Sequence, residues 1–140
     1  GTSGVLAVSG DDDYPYTVPL SYVYDGDKLF FHCGKSGHKL DSIARNAKVS
    51  FCVIDQDAIV PEEYTTYFRS VIVFGKIRIL SEETEKRKAI EKLAVKYAPN
   101  DTEENRNQAI EREWTPLCVL ELTPEHISGK EAIELVRQRG

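Results

Sequence analysis

The sequence predicts a mainly β protein with peripheral helices, its strands running as an antiparallel meander or barrel. Two observations carry that class. Six strand-like runs, rich in β-branched and aromatic residues, mostly follow one another without an intervening helix, which disfavours a doubly wound parallel sheet. The helical patterns cluster late in the chain, where they would pack around such a sheet.

The first run, 4–9 (GVLAVS), is short and largely apolar, and Gly10 with Asp11, Asp12 and Asp13 closes it with turn chemistry. Residues 16–24 (YTVPLSYVY) and 29–33 (LFFHC) form a hairpin around Asp25, Gly26 and Asp27. Pro19 cannot donate to a ladder, so it marks a bulge, an edge, or a break facing a ligand. A glycine-rich loop, Gly34 to Lys39, leads into a short helix over 39–45 with Leu40, Ile43 and Ala44 on one side.

Residues 49–54 and 67–80 read as the next two strands, with Gly75 at a bulge or bend. Ser81 is placed to cap a helix to about Tyr97, with Glu82, Glu83 and Glu85 near the positive end of its dipole. Its apolar stripe is Ala89, Ile90, Leu93, Ala94 and Tyr97, and Pro99 ends it. The polar helix over 102–113, with Ala109 and Ile110 as its apolar pair, is expected to cover a surface. A last strand spans 117–122, and Ser128 to Glu131 fits a capping box that opens a terminal helix.

Bulk properties narrow the function classes. The 140 residues, 41% hydrophobic, suit one domain over 1–140. A net charge of −5 offers no global basic field for nucleic acid or an anionic membrane surface. Apolar runs are strand-sized, far below the roughly 20 residues of a membrane span. Without a methionine or a leader pattern, the chain is expected to lack a natural N-terminal segment. Cys33, Cys52 and Cys118 are odd in number and widely spaced, which points to a reducing cytoplasm rather than a disulfide framework.

The chemistry concentrates in residues 14–39. Backbone N–H groups at a helix start, joined by Lys35, Ser36, His38 and Lys39, can accept a phosphate monoester, Lys39 foremost. A solvated loop is the competing reading of that stretch. His32 could donate to a planar ligand's edge or to a substrate. Strand alternation sends His32 and Cys33 to opposite faces, so the two with His38 make no metal site. Walker, dinucleotide-fingerprint and nucleophile-elbow motifs are absent. Trp114, the one tryptophan, could pack on a planar ligand, in the core or at an interface.

The motifs YPYTVPLSYVY (14–24), LFFHC (29–33) and GHKLD (37–41) occur in an order and spacing that resembles the pyridoxamine-phosphate-oxidase-like flavoproteins, nearest the nitroimidazole-resistance subgroup. NAKVSF (46–51), YFRSVIVFGK (67–76) and HISGK (126–130) continue the resemblance. It implies a six-stranded split β-barrel that dimerises, with flavin mononucleotide (FMN) between the subunits. Val18, Pro19, Leu20, Ser21 and Tyr22 would line the ring, His32 and Cys33 would continue that wall, and Lys39 with His38 would hold the phosphate. Arg69, Ser70 and Trp114 would come from the second subunit. The chain lacks the richer arginine set of true pyridoxamine-phosphate oxidases, which argues against vitamin B6 oxidation. The expected activity is flavin-dependent redox chemistry on a small, nitroaromatic-class substrate, with His32 at the acceptor. The alternatives are a binding protein that stores flavin, haem or deazaflavin without turnover, and a structural dimer with a decayed cradle.

Overall fold

The computed structural model describes residues 1–34 and 37–139. Seven strands form one antiparallel sheet: β1 (Ser3–Ser9), β2 (Pro15–Ser21), β3 (Val23–Tyr24), β4 (Leu29–Gly34), β5 (Lys48–Val60), β6 (Thr65–Ile79) and β7 (Leu117–Glu131). Four helices accompany them: α1 (His38–Arg45), α2 (Glu83–Tyr97), α3 (Glu103–Glu113) and α4 (Ile133–Arg139). The spatial order is β2-β1-β5-β6-β7-β4-β3, so two strands adjacent in sequence, β2 and β3, occupy opposite edges. The sheet must therefore curl until its edges meet, and the ladder stays open at that seam. The expected antiparallel, split-barrel class holds.

The run expected over 16–24 as one strand, hairpinned with 29–33, is divided: only Val23–Tyr24 pairs with β4, while Pro15–Ser21 pairs with β1, which raises six strands to seven. Tyr22 is the point of division. Its N–H donates to the Tyr97 hydroxyl at 3.0 Å, and its carbonyl accepts from Tyr97 Oη at 2.9 Å and from Lys96 Nζ at 2.5 Å. Helix α2 thus supplies the partners a neighbouring strand would otherwise supply. The Tyr22 ring is buried and meets Phe51 edge-on with centroids 5.2 Å apart, and Phe31 meets Phe51 at 4.8 Å. With Leu6, Leu120 and Leu122 these rings fill the barrel interior.

A second apolar layer lies on the other face of β4 and β7. Phe30 and Val119 point outward there and are covered by Leu80, Ala89, Ile90, Leu93 and Ile110. Burial on both faces explains the unbroken apolar run Leu29, Phe30, Phe31 in β4, which strand alternation alone does not. The expected bulge at Gly75 is present: the β6–β7 register shifts between Phe74 and Gly75. A Cβ on Gly75 would sit 2.2 Å from the Thr123 carbonyl oxygen.

Three expectations are corrected. The segment 128–131 is not a capping box; it continues β7, paired with β6 from Ile72–Ser128 to Arg69–Glu131, and the terminal helix starts at Ile133. The cap of α2 is Glu82, whose carboxylate accepts from Thr84 and Glu85 N–H at 3.0 Å each, not Ser81. In α1 the buried side chains are Leu40, Ser42 and Ile43, while Ala44 is exposed. Strand β5 also runs past the expected end at Ile54, and beyond a bulge Gln56 to Val60 pair with β6 as a two-stranded arm. No helix of the described residues is long and apolar enough to cross a membrane.

Candidate functional site

Strand alternation builds the site at the seam between β2 and β4. Phe31 points into the barrel, His32 points out, and Cys33 packs back against the core. On β2, Val18 and Leu20 pack inward while Pro19 and Ser21 are exposed, with Pro19 opposite Val5 on a strand whose other edge is unpaired. Leu20, His32, Cys33 and Gly34 border a groove of about 410 Å³ that Glu113, Pro116 and Leu117 close from the other side.

Helix α1 is entered at Gly37, whose φ of 137° is a conformation that suits glycine. Gly37, at the cap position, has no side chain to cap the helix. A Cβ on Gly34 or Gly37 would meet no atom of the described residues within 4 Å. Lys35 and Ser36, named above as phosphate donors, lie outside the described residues.

Lys39 in the first turn of α1 comes within hydrogen-bond reach of the Cys33 sulfur and places its charge near His32. Burial pushes the Cys33 thiol up to about 11, against the pull of Lys39, with the neighbouring Cys118 adding to the rise. Crowding around the His32 ring, then the Lys39 charge, hold its pKa below the usual histidine value. At neutral pH His32 is therefore an uncharged imidazole that can donate and accept. Lys39 has no carboxylate partner among the described residues. A helix start with a half-buried ammonium that faces no carboxylate among the described residues can hold an anion.

His38 faces elsewhere. Its Nδ1 is 3.6 Å from Asp11, its ring is 6.3 Å from Tyr16, and it borders a shallow hollow with Gly10 and Tyr14. Tyr22, expected along the ring wall, has its side chain in the core and its backbone bonded to α2.

A family model described as pyridoxamine 5'-phosphate oxidase matches residues 1–131. This chain belongs to the pyridoxamine 5'-phosphate oxidase family. No curated protein sequence matches it. Among solved structures, a 5-nitroimidazole antibiotic resistance protein from Bacteroides thetaiotaomicron is 21% identical, with TM-score 0.74 over 91% of this chain and 75% of its own. A FAD-binding protein from Mesorhizobium loti is 22% identical, with TM-score 0.67 over 94% and 87%. A FAD and heme binding protein from Mycobacterium smegmatis is 19% identical, with TM-score 0.70 over 99% and 73%.

In this member of the pyridoxamine 5'-phosphate oxidase family, three expected site residues lie away from the seam of their own chain. The fifteen residues of β7 cover about 45 Å of extended strand, with Cys33 paired near its start and Arg69 at its end. Arg69 donates to Glu131 at 2.9 Å and Asp55 at 3.2 Å. Ser70 lies opposite Ile54 on the outer face. Trp114 packs into the second apolar layer, with Lys86 Nζ 4.3 Å above its ring.

Sequence reasoning missed a larger cavity of about 500 Å³ between α2 and α3, which Ser21 and His32 also border. Its apolar stripe on α2 was legible, but nothing in one dimension distinguishes a stripe that fills a core from one that lines a void.

Proposed function

We propose that this protein binds FMN at the β2–β4 seam of a homodimer and serves as a flavin-dependent oxidoreductase for a small, nitroaromatic-class acceptor. One observation carries the reading: the Lys39 ammonium, without a carboxylate partner among the described residues, in the first turn of a helix that starts at Gly37. The residues fit a phosphate monoester. Lys39 and the first α1 N–H groups would hold the phosphate, and Val18, Pro19, Leu20, Ser21, His32 and Cys33 would form the wall beside a flat ring. Tyr22 supports that wall from the core, and His38 stands at its outer side.

A second copy completes the site. Val5, Ile54, Ile72 and Phe74 are 41%, 62%, 37% and 45% exposed on the outer face of β1, β5 and β6, an apolar patch of the kind that marks an interface. Ser70 adjoins that patch, so dimerisation through it would carry Ser70 and Arg69 toward the partner's seam, with Trp114 as a third contribution. Bound flavin supplies the two-electron redox chemistry. His32, neutral at pH 7, orients the acceptor by a hydrogen bond, and the apolar groove keeps water from it.

The test is an absorption spectrum with added FMN, alongside the sedimentation mass. A structured flavin band that Lys39→Ala weakens at least tenfold in affinity supports the site; a dimer that takes up no FMN removes it. The likeness to a protein named for both FAD and heme favours a second reading, a carrier without turnover. Steady-state assays with reduced nicotinamide donors and a nitroaromatic acceptor separate the two, since a carrier shows no turnover and no effect of His32→Ala on it.

A further inference from the structure

We propose that the cavity between α2 and α3 is a second small-molecule site, built for a ring-sized apolar carboxylic acid whose carboxylate rests on Arg106 and whose far end carries a hydroxyl or amino group. This site lies on the other side of His32 from the flavin groove and does not depend on flavin binding.

The space exists because small residues face each other where two helices meet. Ala94 and Ala98 on the α2 side and Ala109 on α3 border it, and Ile90, Leu93 and Ile110 make the rest of its apolar wall. A volume of about 500 Å³ is within the range of pockets that enclose a drug-sized molecule. A helix pair that merely capped the sheet would close such a gap, because interiors pack to crystal-like density.

The polar groups stand at two ends. Arg106 borders both this cavity and a hollow on the outer side of α2, which places it at the mouth away from His32. It is half-buried and has no side-chain ion pair among the described residues. The Asp101 carboxylate, which also borders the cavity, accepts through Oδ1 from Thr102 N–H at 2.9 Å and Asn105 Nδ2 at 3.2 Å and makes no ion pair with Arg106 among the described residues. An arginine in that state can take a planar carboxylate with two parallel hydrogen bonds. At the other end His32 and Glu113 border this cavity and the β2–β4 groove alike. The Glu113 carboxylate accepts hydrogen bonds and an imidazole nitrogen can do so too, so this end can take a donor on the ligand.

Titration calorimetry on the purified dimer or monomer, whatever its flavin content, tests the proposal with 4-hydroxycinnamate, its uncharged amide, and cinnamate, which lacks the hydroxyl. The acid is expected to bind at least tenfold more tightly than the amide and severalfold more tightly than cinnamate. Arg106→Gln, a change at an accessible position, should bring the acid down to the amide's affinity, and Ala109→Leu should abolish binding of all three by filling the space. Equal affinity for acid and amide, an unchanged affinity in Arg106→Gln, or no heat at millimolar ligand overturns it. Failure of FMN binding leaves these readouts unaffected.

Discussion

The two apolar layers on either side of β4 and β7 are made of similar residue types but packed to different ends. Inside the barrel, Phe31 and Phe51 are fully buried and stack edge-to-face at 4.8 Å. Outside it, α2 and α3 meet the sheet through Ile90, Leu93 and Ile110 but face each other with alanines, and a cavity of about 500 Å³ remains. Volume in the first layer goes to stability, whereas volume left open in the second is available to a ligand. Helix α2 serves both: Lys96 and Tyr97 hold the Tyr22 backbone at the barrel seam, while Ala94 and Ala98 border the cavity.

The contrast can be broken from either side. The largest effect is expected at the filled layer, where Phe31→Ala removes a fully buried ring and should cost about 3–5 kcal/mol in urea unfolding. A loss below about 1 kcal/mol would mean that the barrel interior is as loosely packed as the helical layer. In the open layer the opposite change, an addition of volume, should stabilise. Ala109→Leu adds apolar surface where space exists and should raise stability by about 1 kcal/mol, read from the same unfolding curves. A loss instead would show that α2 and α3 already fit closely.

The smallest effect concerns His32 at the boundary between groove and cavity. Burial holds its folded pKa below the ordinary histidine value of about 6.5, so at mildly acidic pH the unfolded chain binds the proton more readily than the folded one. Stability should accordingly fall as pH drops through about 6.5 and level off once the folded ring is protonated too. His32→Asn should flatten that part of the stability profile measured by urea titration at successive pH values. An unchanged slope would remove His32 as its source.

Much of the local structure is legible because its causes are local. The turn at Asp25 follows from its own side chain, which accepts from Asp27 and Lys28 N–H and has its pKa lowered to about 2, first by the Lys28 N–H bond and then by Lys92. The start of α3 follows from Thr102, which accepts from Asn105 N–H at 3.1 Å. The bulge at Gly75 and the opposite facing of His32 and Cys33 follow from backbone sterics and strand alternation. Of the residues proposed for the site, His32 and Lys39 are legible as candidates from their own setting, whereas Leu20, Ser21 and Cys33 enter only through the family resemblance; the fold sets all five along the β2–β4 seam.

Other features had causes that lie far along the chain. Tyr22 sits in an unbroken β-forming run, and the strand divides there because Tyr97, 75 residues later, takes its N–H. Segment 128–131 has the letters of a helix cap, yet β6 offers a complete ladder to it, and pairing along an existing strand outweighs a local propensity. The extension of β5 through Asp55, Gln56 and Asp57 shows no alternation, since its arm is stabilised by β6 rather than by a buried face.

By itself the sequence determined the antiparallel β class, the turn at Asp25 and most helix limits, because hydrophobic period, turn residues and caps act over a few residues. Tertiary structure alone decided where the barrel splits, that His38 and Lys39 face different ways, and that two alanine-bearing helices leave a cavity against His32. Those outcomes depend on which distant groups meet, and a one-dimensional pattern records the surfaces that must be covered but not what covers them.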